Sequence, residues 1–538
     1  MKKGLSLFTS ISKSWFSIGV LSICLITASC LDPLLKHTNS DYLPIGLVSV
    51  VSCFLLLTCF DKSCLKQTLS FSKGEALLLA FFAYTLINGR IHGSVRTPLQ
   101  YWKWIGALLF FISGKRLSRD REALLIILSG IALVQATVVL LQRTGILHSH
   151  SFFFPVSGTY GNPQYPAAII CMGLSVLLDH GFRYFGKHTL ATNFSIITIA
   201  SILLSALVCC GTRSCYFALL VVIVILVYRA YSKKKILVFS SIILISGIFI
   251  LYSIRPESAN VRLLIWRVGL SMFSSHPLFG NGPCSFANNY MISQAAFFAS
   301  HPSSLFTILA NNHSQPYNEP LRLLCEQGIV GLLLVAFAFY GMLSKLNRSY
   351  IPLVCLITIS LTFNVSDLFV LYLMFWFLIG FASNGQRQRW TLKTQPPTHI
   401  ISLAYTIILC LSLFRLLSPA YMNNPNHKIE HVTYESVCRE GSSFLEKGNT
   451  DAAKQCFQLA WRMIPCRITA PFLLFNLFLE NGDYNNAYTW AYYILFQQEL
   501  STVSGHTLIM KHFVREKWLA LFCYLDNTQD ETHSLLDN

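Results

Sequence analysis

The sequence predicts an all-α fold: a polytopic helical membrane protein of about 13 transmembrane helices, with a large extracytoplasmic loop and a C-terminal helical-repeat region. Three observations carry this. Hydrophobic residues make up 53% of the 538 and charged residues 12%, with a mean hydropathy of +0.52, far from the balance of soluble proteins. Apolar runs of spanning length recur along the chain, since a membrane helix needs about 20 mostly apolar residues. Lys and Arg gather in alternate connections between those runs, the asymmetry expected of cytoplasmic loops.

The runs lie near 15–31, 42–60, 74–89, 99–114, 122–142, 163–181, 191–210, 214–231, 235–253, 328–345, 349–364, 367–383 and 400–418. The first follows Lys2, Lys3 and Lys13 and ends in "TASC"; Thr27 suits a lipoprotein cleavage site poorly, so the run reads as a first membrane helix. Basic connections hold Lys62 and Lys66, Lys115 to Arg121, Arg183 and Lys187, Arg229 to Lys235, Lys345 and Arg348, and Arg387 to Lys393. The intervening connections carry few positive charges. The eleventh and twelfth runs are separated only by Asn364 to Asp367; a single helix there would put its basic flanks on opposite faces, so a hairpin is expected. This alternation predicts a cytoplasmic N-terminus, with the long loop and the tail extracytoplasmic. The expected divisions are 1–253 for the first nine spans, 254–327 for the outer loop, 328–418 for the last four spans and 419–538 for the tail.

In the tail, "EKGNTDAAKQCFQLA" aligns with "ENGDYNNAYTWAYYI", Gly448 over Gly482 and Ala453 over Ala487, an offset of 34 residues that is the tetratricopeptide period. With only two units, a plain pair of helical hairpins is the alternative.

The net charge of +17 does not point to nucleic acid, because the basic residues fall in short clusters between apolar runs rather than along one polar face. None of the 17 cysteines forms a C-x-x-C pair, and many lie inside apolar runs as small hydrophobes. Transport is disfavoured because the spans hold almost no ionisable residues: Glu75 and Glu122 are placed at span ends, and Lys103 and Arg415 are expected to snorkel.

The outer loop contains Arg255, Arg262, Arg267 and Arg322 but only Glu257, Glu319 and Glu326 as carboxylates. No acidic pair suits a divalent ion, so neither metal nor cofactor is expected. Arginines without acid partners suit a diphosphate bound directly, since the guanidinium fork matches phosphate oxygens; a lipid diphosphate is the natural candidate at a membrane surface. The alternative for Arg262 and Arg267 is anchoring to anionic lipid. Arg213 lies in a short outer turn between two apolar spans, where a charge without a purpose would be costly.

Four segments, "GTYGNPQYPAA" (158–168), "GTRSCYFAL" (211–219), "VRLLIWRVGLSMFSSHPLFGNGPCSF" (261–286) and "QPYNEPLRLLCEQGIVGLLL" (315–334), together resemble the O-antigen ligase family, which includes O-linked oligosaccharyltransferases and is related to O-antigen polymerases. The resemblance covers roughly residues 70 to 385, with the tail as an appendage. It implies metal-independent, inverting transfer of a glycan from undecaprenyl diphosphate to an acceptor hydroxyl on lipid A-core or protein. By motif, Arg213 and Arg262 correspond to diphosphate-binding arginines. Asn162, Arg267 and Asn318 stand beside them as substrate-binding candidates, although Arg267 lies about 140° round a helix from Arg262. The implied partners are the lipid-linked glycan, its acceptor and membrane lipid, with an envelope protein as a further partner for the tail.

The family's His-Asn pair before the tenth span reads Tyr317-Asn318 here. His313 could supply the imidazole, although Pro316 argues against a regular helix joining the two; Glu319 could be the base, or Tyr317 could position the acceptor. "FGNGPCSF" reads as a turn rather than a phosphate cradle, having no preceding strand and no P-loop lysine.

Overall fold

Helices form every regular element among the described residues. The computed structural model describes residues 73–92, 98–117, 121–184, 189–231, 256–301, 315–343, 351–383, 404–412 and 434–496, apart from 150, 152, 153, 185–188 and 466, together with 48, 50–52, 253, 306, 309 and 313. The helices are α1 (Lys73–Ile91), α2 (Pro98–Leu117), α3 (Arg121–Arg143), α4 (Gln164–Tyr184), α5 (Leu190–Cys210), α6 (Arg213–Tyr231), α7 (Pro256–Ser275), α8 (Phe286–Ser300), α9 (Glu319–Leu343), α10 (Ile351–Ser360), α11 (Phe369–Ser383), α12 (Tyr434–Glu446), α13 (Thr450–Met463), α14 (Thr469–Glu480) and α15 (Tyr484–Phe496).

Five stretches are long and apolar enough to cross a membrane: Leu124–Arg143, Gln164–Tyr184, Leu190–Cys210, Arg213–Ala230 and Glu319–Met342. They coincide with the fifth to eighth and the tenth expected runs. Helices α1 and α2 occupy the third and fourth. The first run lies outside the described residues, as do nearly all of the second and ninth, Arg255 and most of the basic connections; of the thirteenth, 404–412 is helical.

Helices α3, α4 and α5 pack together, α4 and α6 hold α10, α1 packs on α9, and α2 packs along α11. The last contact is close because small residues let the two backbones approach. A side chain at Gly114 would run into the Phe377 carbonyl, and one at Gly380 into that of Phe111. The eleventh and twelfth runs are separate helices, broken at 361–368 with a single 3-10 turn at Val365–Asp367. They diverge, α10 onto α4 and α6, α11 onto α2.

Two ionisable residues of the bundle have defined surroundings, and Glu75 lies in the first turn of α1, at a span end as expected. Glu75 is buried and forms a 2.6 Å ion pair with Lys115, since α1 begins where α2 ends and their acid and base neutralise each other there. Lys103 is partly buried and lines a cavity open to the surface.

Helix α9 is interrupted at Gly328 (φ 66°, ψ −169°), a conformation that only glycine adopts without strain. The break frees backbone groups that must find partners. The turn 277–281 supplies them: Ile329 N–H donates to the Pro277 carbonyl at 2.9 Å and Asn281 N–H to that of Cys325 at 2.9 Å. From α1, Tyr84 Oη donates to the Gln327 carbonyl at 2.6 Å and Asn88 Nδ2 to the Phe279 carbonyl at 2.9 Å. Residues 319–327 thereby form a half-helix stitched to the outer loop, and 329–343 continues into the bundle.

The tail forms two helical hairpins, α12–α13 and α14–α15, with α13 packed on α14. Gly448 and Gly482 take the same left-handed conformation, φ 75° and 74°, and Ala453 and Ala487 are both fully buried. Tyr434, Val437, Ala460, Ile464 and Ala470 join a hydrophobic core with Leu264, Val268, Phe286, Tyr290 and Phe298. The tail and the loop helices α7 and α8 are thus one packed body.

Candidate functional site

Arg213 opens α6 immediately after a two-residue turn. Helix α5 stops at Gly211, whose left-handed backbone (φ 61°) sends its N–H to the Val208 carbonyl, and α6 starts two residues later. This tight corner holds Arg213 at the end of the bundle, partly buried. Arg262 comes from α7, and its guanidinium carbon lies 5.5 Å from the centre of the Tyr317 ring. Burial, then the nearby positive charge of Arg213, lower the Arg262 pKa, while Tyr317 opposes the shift. Two guanidinium groups from different elements are therefore within electrostatic reach. Among the described residues no carboxylate pairs with Arg262.

The segment beneath it is fixed from three sides. Trp266 Nε1 donates to the Pro316 carbonyl at 2.9 Å, Asn318 Nδ2 to the Leu361 carbonyl at 3.1 Å, and Leu321 N–H to Asn318 Oδ1 at 2.9 Å. These bonds hold Tyr317 at φ 51°, an uncommon conformation for a bulky residue. Asn318 is consequently the cap of α9, with both side-chain polar atoms used on backbone. Burial raises the Tyr317 pKa, Arg262 lowers it, and Asp367 raises it, so the phenol is within reach of both charges.

His313 lies outside any helix; its ring centre is 6.4 Å from that of Tyr317 and 5.9 Å from that of Tyr290. Burial pushes its pKa down to about 4, so the imidazole is neutral near pH 7. Its Nε2 is buried with no hydrogen-bond partner among the described residues.

Glu319 faces elsewhere. Its Oε1 accepts from Ser366 N–H at 2.8 Å and Ser366 Oγ at 2.7 Å. Arg322, one turn along, pairs with Asp367 Oδ1 at 2.7 Å and Glu326 Oε1 at 3.3 Å. Glu326 Oε2 accepts the Cys284 N–H at 2.9 Å, so the glycine turn 280–284 cradles an anion of the chain's own. Arg322 is thus neutralised in place, unlike Arg262. Arg267 is exposed over the Phe306 ring, 4.9 Å away, on another face of α7. Asn162 accepts from Gln164 N–H at 2.9 Å and shapes the start of α4.

The structure links Arg213 to Arg262, Arg262 to Tyr317 and Tyr317 to His313, whereas the contacts of Arg267 and Asn162 are with Phe306 and Gln164. Sequence reading treated Ser366 and Asp367 only as a hairpin tip. An acidic residue between two apolar runs was the available signal.

Residues 198–336, which contain both arginines and the 317–319 segment, match the family model described as O-antigen ligase. They belong to the O-antigen ligase family. The family covers ligases and polymerases, which suggests a glycosyltransferase-like enzyme, and the apolar helices of spanning length agree with a membrane protein. No curated protein and no solved structure matches the chain. The O-antigen ligase region starts in α5 and ends in α9, leaving α1 to α4, α10, α11 and the tail outside it. Tyr317 contacts both the bundle core and the loop core, at the seam of that region.

Proposed function

We propose that this protein moves a preassembled oligosaccharide from a polyprenyl (undecaprenyl) diphosphate to an acceptor hydroxyl, on lipid A-core or protein, at the outer face of the inner membrane, with no metal or cofactor. The observation that carries the reading is the convergence of Arg213 and Arg262 without an acid partner for Arg262. Like charges held close in a partly buried place favour an anionic ligand, and guanidinium forks fit a diphosphate. In the step, the acceptor oxygen bonds to the anomeric carbon as the bond from that carbon to the phosphate oxygen breaks, with inversion. The electron pair leaves on the diphosphate, and the acceptor proton passes to a base. The two arginines would hold the developing charge. His313 is the base favoured by its neutral state and unspent Nε2 beside Tyr317; Glu319 is the alternative. Tyr317 orients Arg262.

The core shared by α7, α8 and the tail supports one side of the membrane for both, and four expected spans between them, an even number, agree. The Lys/Arg alternation supports the extracytoplasmic side, which at an inner membrane is the periplasm. The paired hairpins of the tail support a tetratricopeptide-like module that meets an acceptor or an envelope protein.

Supplying the purified protein with lipid-linked donor tests the reading. A new lipid-core or protein conjugate is the expected product. Longer lipid-linked chains would make it a polymerase, and absence of turnover would favour a scaffold whose tail binds an envelope partner.

A further inference from the structure

The turn 276–280, between α7 and α8, puts two adjacent large apolar side chains on the surface: Leu278 is 58% exposed and Phe279 53%. A single exposed leucine would mean little, but the depth of this pair along the bundle is fixed by hydrogen bonds. Ile329 N–H donates to the Pro277 carbonyl at 2.9 Å and Val330 N–H to the Leu278 carbonyl at 3.3 Å. The turn is therefore level with the first residues after the Gly328 break, where the apolar part of α9 begins. On its other side, Asn88 Nδ2 donates to the Phe279 carbonyl at 2.9 Å from the last turn of α1. Tyr84 Oη reaches the same carbonyl at 3.5 Å, and Tyr84 lies about 7 Å inside the Gly89 end of the third apolar run, at 1.5 Å per residue. Two helices thus place the turn at the margin of the hydrocarbon rather than clear of it.

The surface around the turn is of the same kind. Ile87 and Ile91 are exposed on α1, and Leu333 and Phe337 on α9, which is of spanning length. Irregular backbone enters hydrocarbon only when its polar groups are satisfied within the protein. The carbonyls of Pro277, Leu278 and Phe279 are satisfied by the bonds above, Pro277 has no N–H, and the Gly280 N–H donates to the His276 carbonyl at 3.0 Å. Neither 84–92 nor 270–285 contains an Asp or Glu, whereas Arg90, in the last turn of α1, is exposed. Apolar tips with a cation and no acid in the same segments suit a phospholipid leaflet.

We propose that the turn 276–280 is a membrane anchor of the outer loop, with the Leu278 and Phe279 side chains among the acyl chains of the phospholipid leaflet on the loop's side. Helix α7 runs directly into the turn, so the anchor sets the height over the bilayer of the helix that carries Arg262 and of the tail packed against it. The proposal does not depend on the glycan-transfer reading.

Photocrosslinking of the full-length protein in phosphatidylethanolamine–phosphatidylglycerol vesicles tests it. Phe279 or Leu278 is replaced by p-benzoylphenylalanine, whose excited ketone inserts into nearby C–H bonds. Mass spectrometry is expected to find each variant increased by the mass of one phospholipid, joined through an acyl chain, with a yield comparable to that from Ile87 replaced in the same way on α1. Leu459, an exposed apolar residue of α13 in the tail, should give no such adduct. Absence of a lipid adduct at both Leu278 and Phe279 overturns the proposal, as does equal labelling at Leu459, which would report collision rather than burial. Crosslinking of the turn into a second copy of the chain, a dimer contact, or into another segment of the same chain would overturn it as well.

Discussion

The Arg262 guanidinium lies over the face of Tyr317, its carbon 5.5 Å from the ring centre. By its resemblance to the family's motif, Tyr317 would take the place of the histidine of the His-Asn pair, and an aromatic face can hold the cation without neutralising it. A partly desolvated cation–π contact contributes about 1–2 kcal/mol. Tyr317→Phe keeps that face and is expected to retain most turnover. Tyr317→Leu loses it and should fall by roughly tenfold. Equal, severe loss in both would make the phenol itself part of the chemistry.

His313 sets a pH dependence. Its folded pKa, about 4, lies below the ordinary histidine value because burial disfavours the charged imidazolium. Between about pH 6.5 and 4 the unfolded chain binds the proton first, so stability rises with pH through that window and is lost as pH falls. Thermal melting from pH 7 to pH 4 should show a falling midpoint, with the slope reduced in His313→Gln. An unchanged slope would mean that the imidazole is solvated.

How far this site was legible in the sequence depends on the residue. Arg213 and Arg262 were readable as candidates because charges beside apolar spans are rare and each sits in a short motif. The helices α3 to α6 were readable because each is an apolar run of spanning length. The Glu75–Lys115 pair, 40 positions apart, was not, since nothing local says that the start of α1 meets the end of α2. Lys103 gave no sign of lining a cavity, because an isolated helix carries no information about its neighbours. Gly328 could be read as a glycine but not as a break: its conformation is set by the turn 277–281, about fifty residues earlier in the chain. Asn318 looked like a ligand contact and is a helix cap, a role any Asn before a helix can fill.

Gly328→Ala is therefore expected to be among the most damaging small substitutions. The left-handed backbone is strained for any residue with a Cβ, by about 1–2 kcal/mol, and the added methyl would run into the Leu278 carbonyl. Loss of a monodisperse peak in detergent, or a large drop in melting temperature, is the expected result. A variant that melts with the parent would mean that the break is not held by the turn.

Turnover is expected to be insensitive to EDTA. Arg322 stands among Glu319, Glu326 and Asp367 and supplies their counter-charge, so a divalent ion would have to displace it. Inactivation by EDTA that magnesium or manganese reverses would overturn direct binding of the diphosphate by arginine.

The most direct measurement is the rate of glycan transfer from polyprenyl diphosphate by Arg213→Lys and Arg262→Lys, beside Arg267→Lys, in purified, monodisperse protein. Lysine keeps the charge but not the bidentate fork. Loss of one such transition-state contact costs roughly 3 kcal/mol, so each of the first two variants should fall on the order of a hundredfold. Arg267→Lys, altered on the exposed face beside Phe306, should stay close to the parent. Full activity in both Arg213→Lys and Arg262→Lys would contradict the diphosphate site.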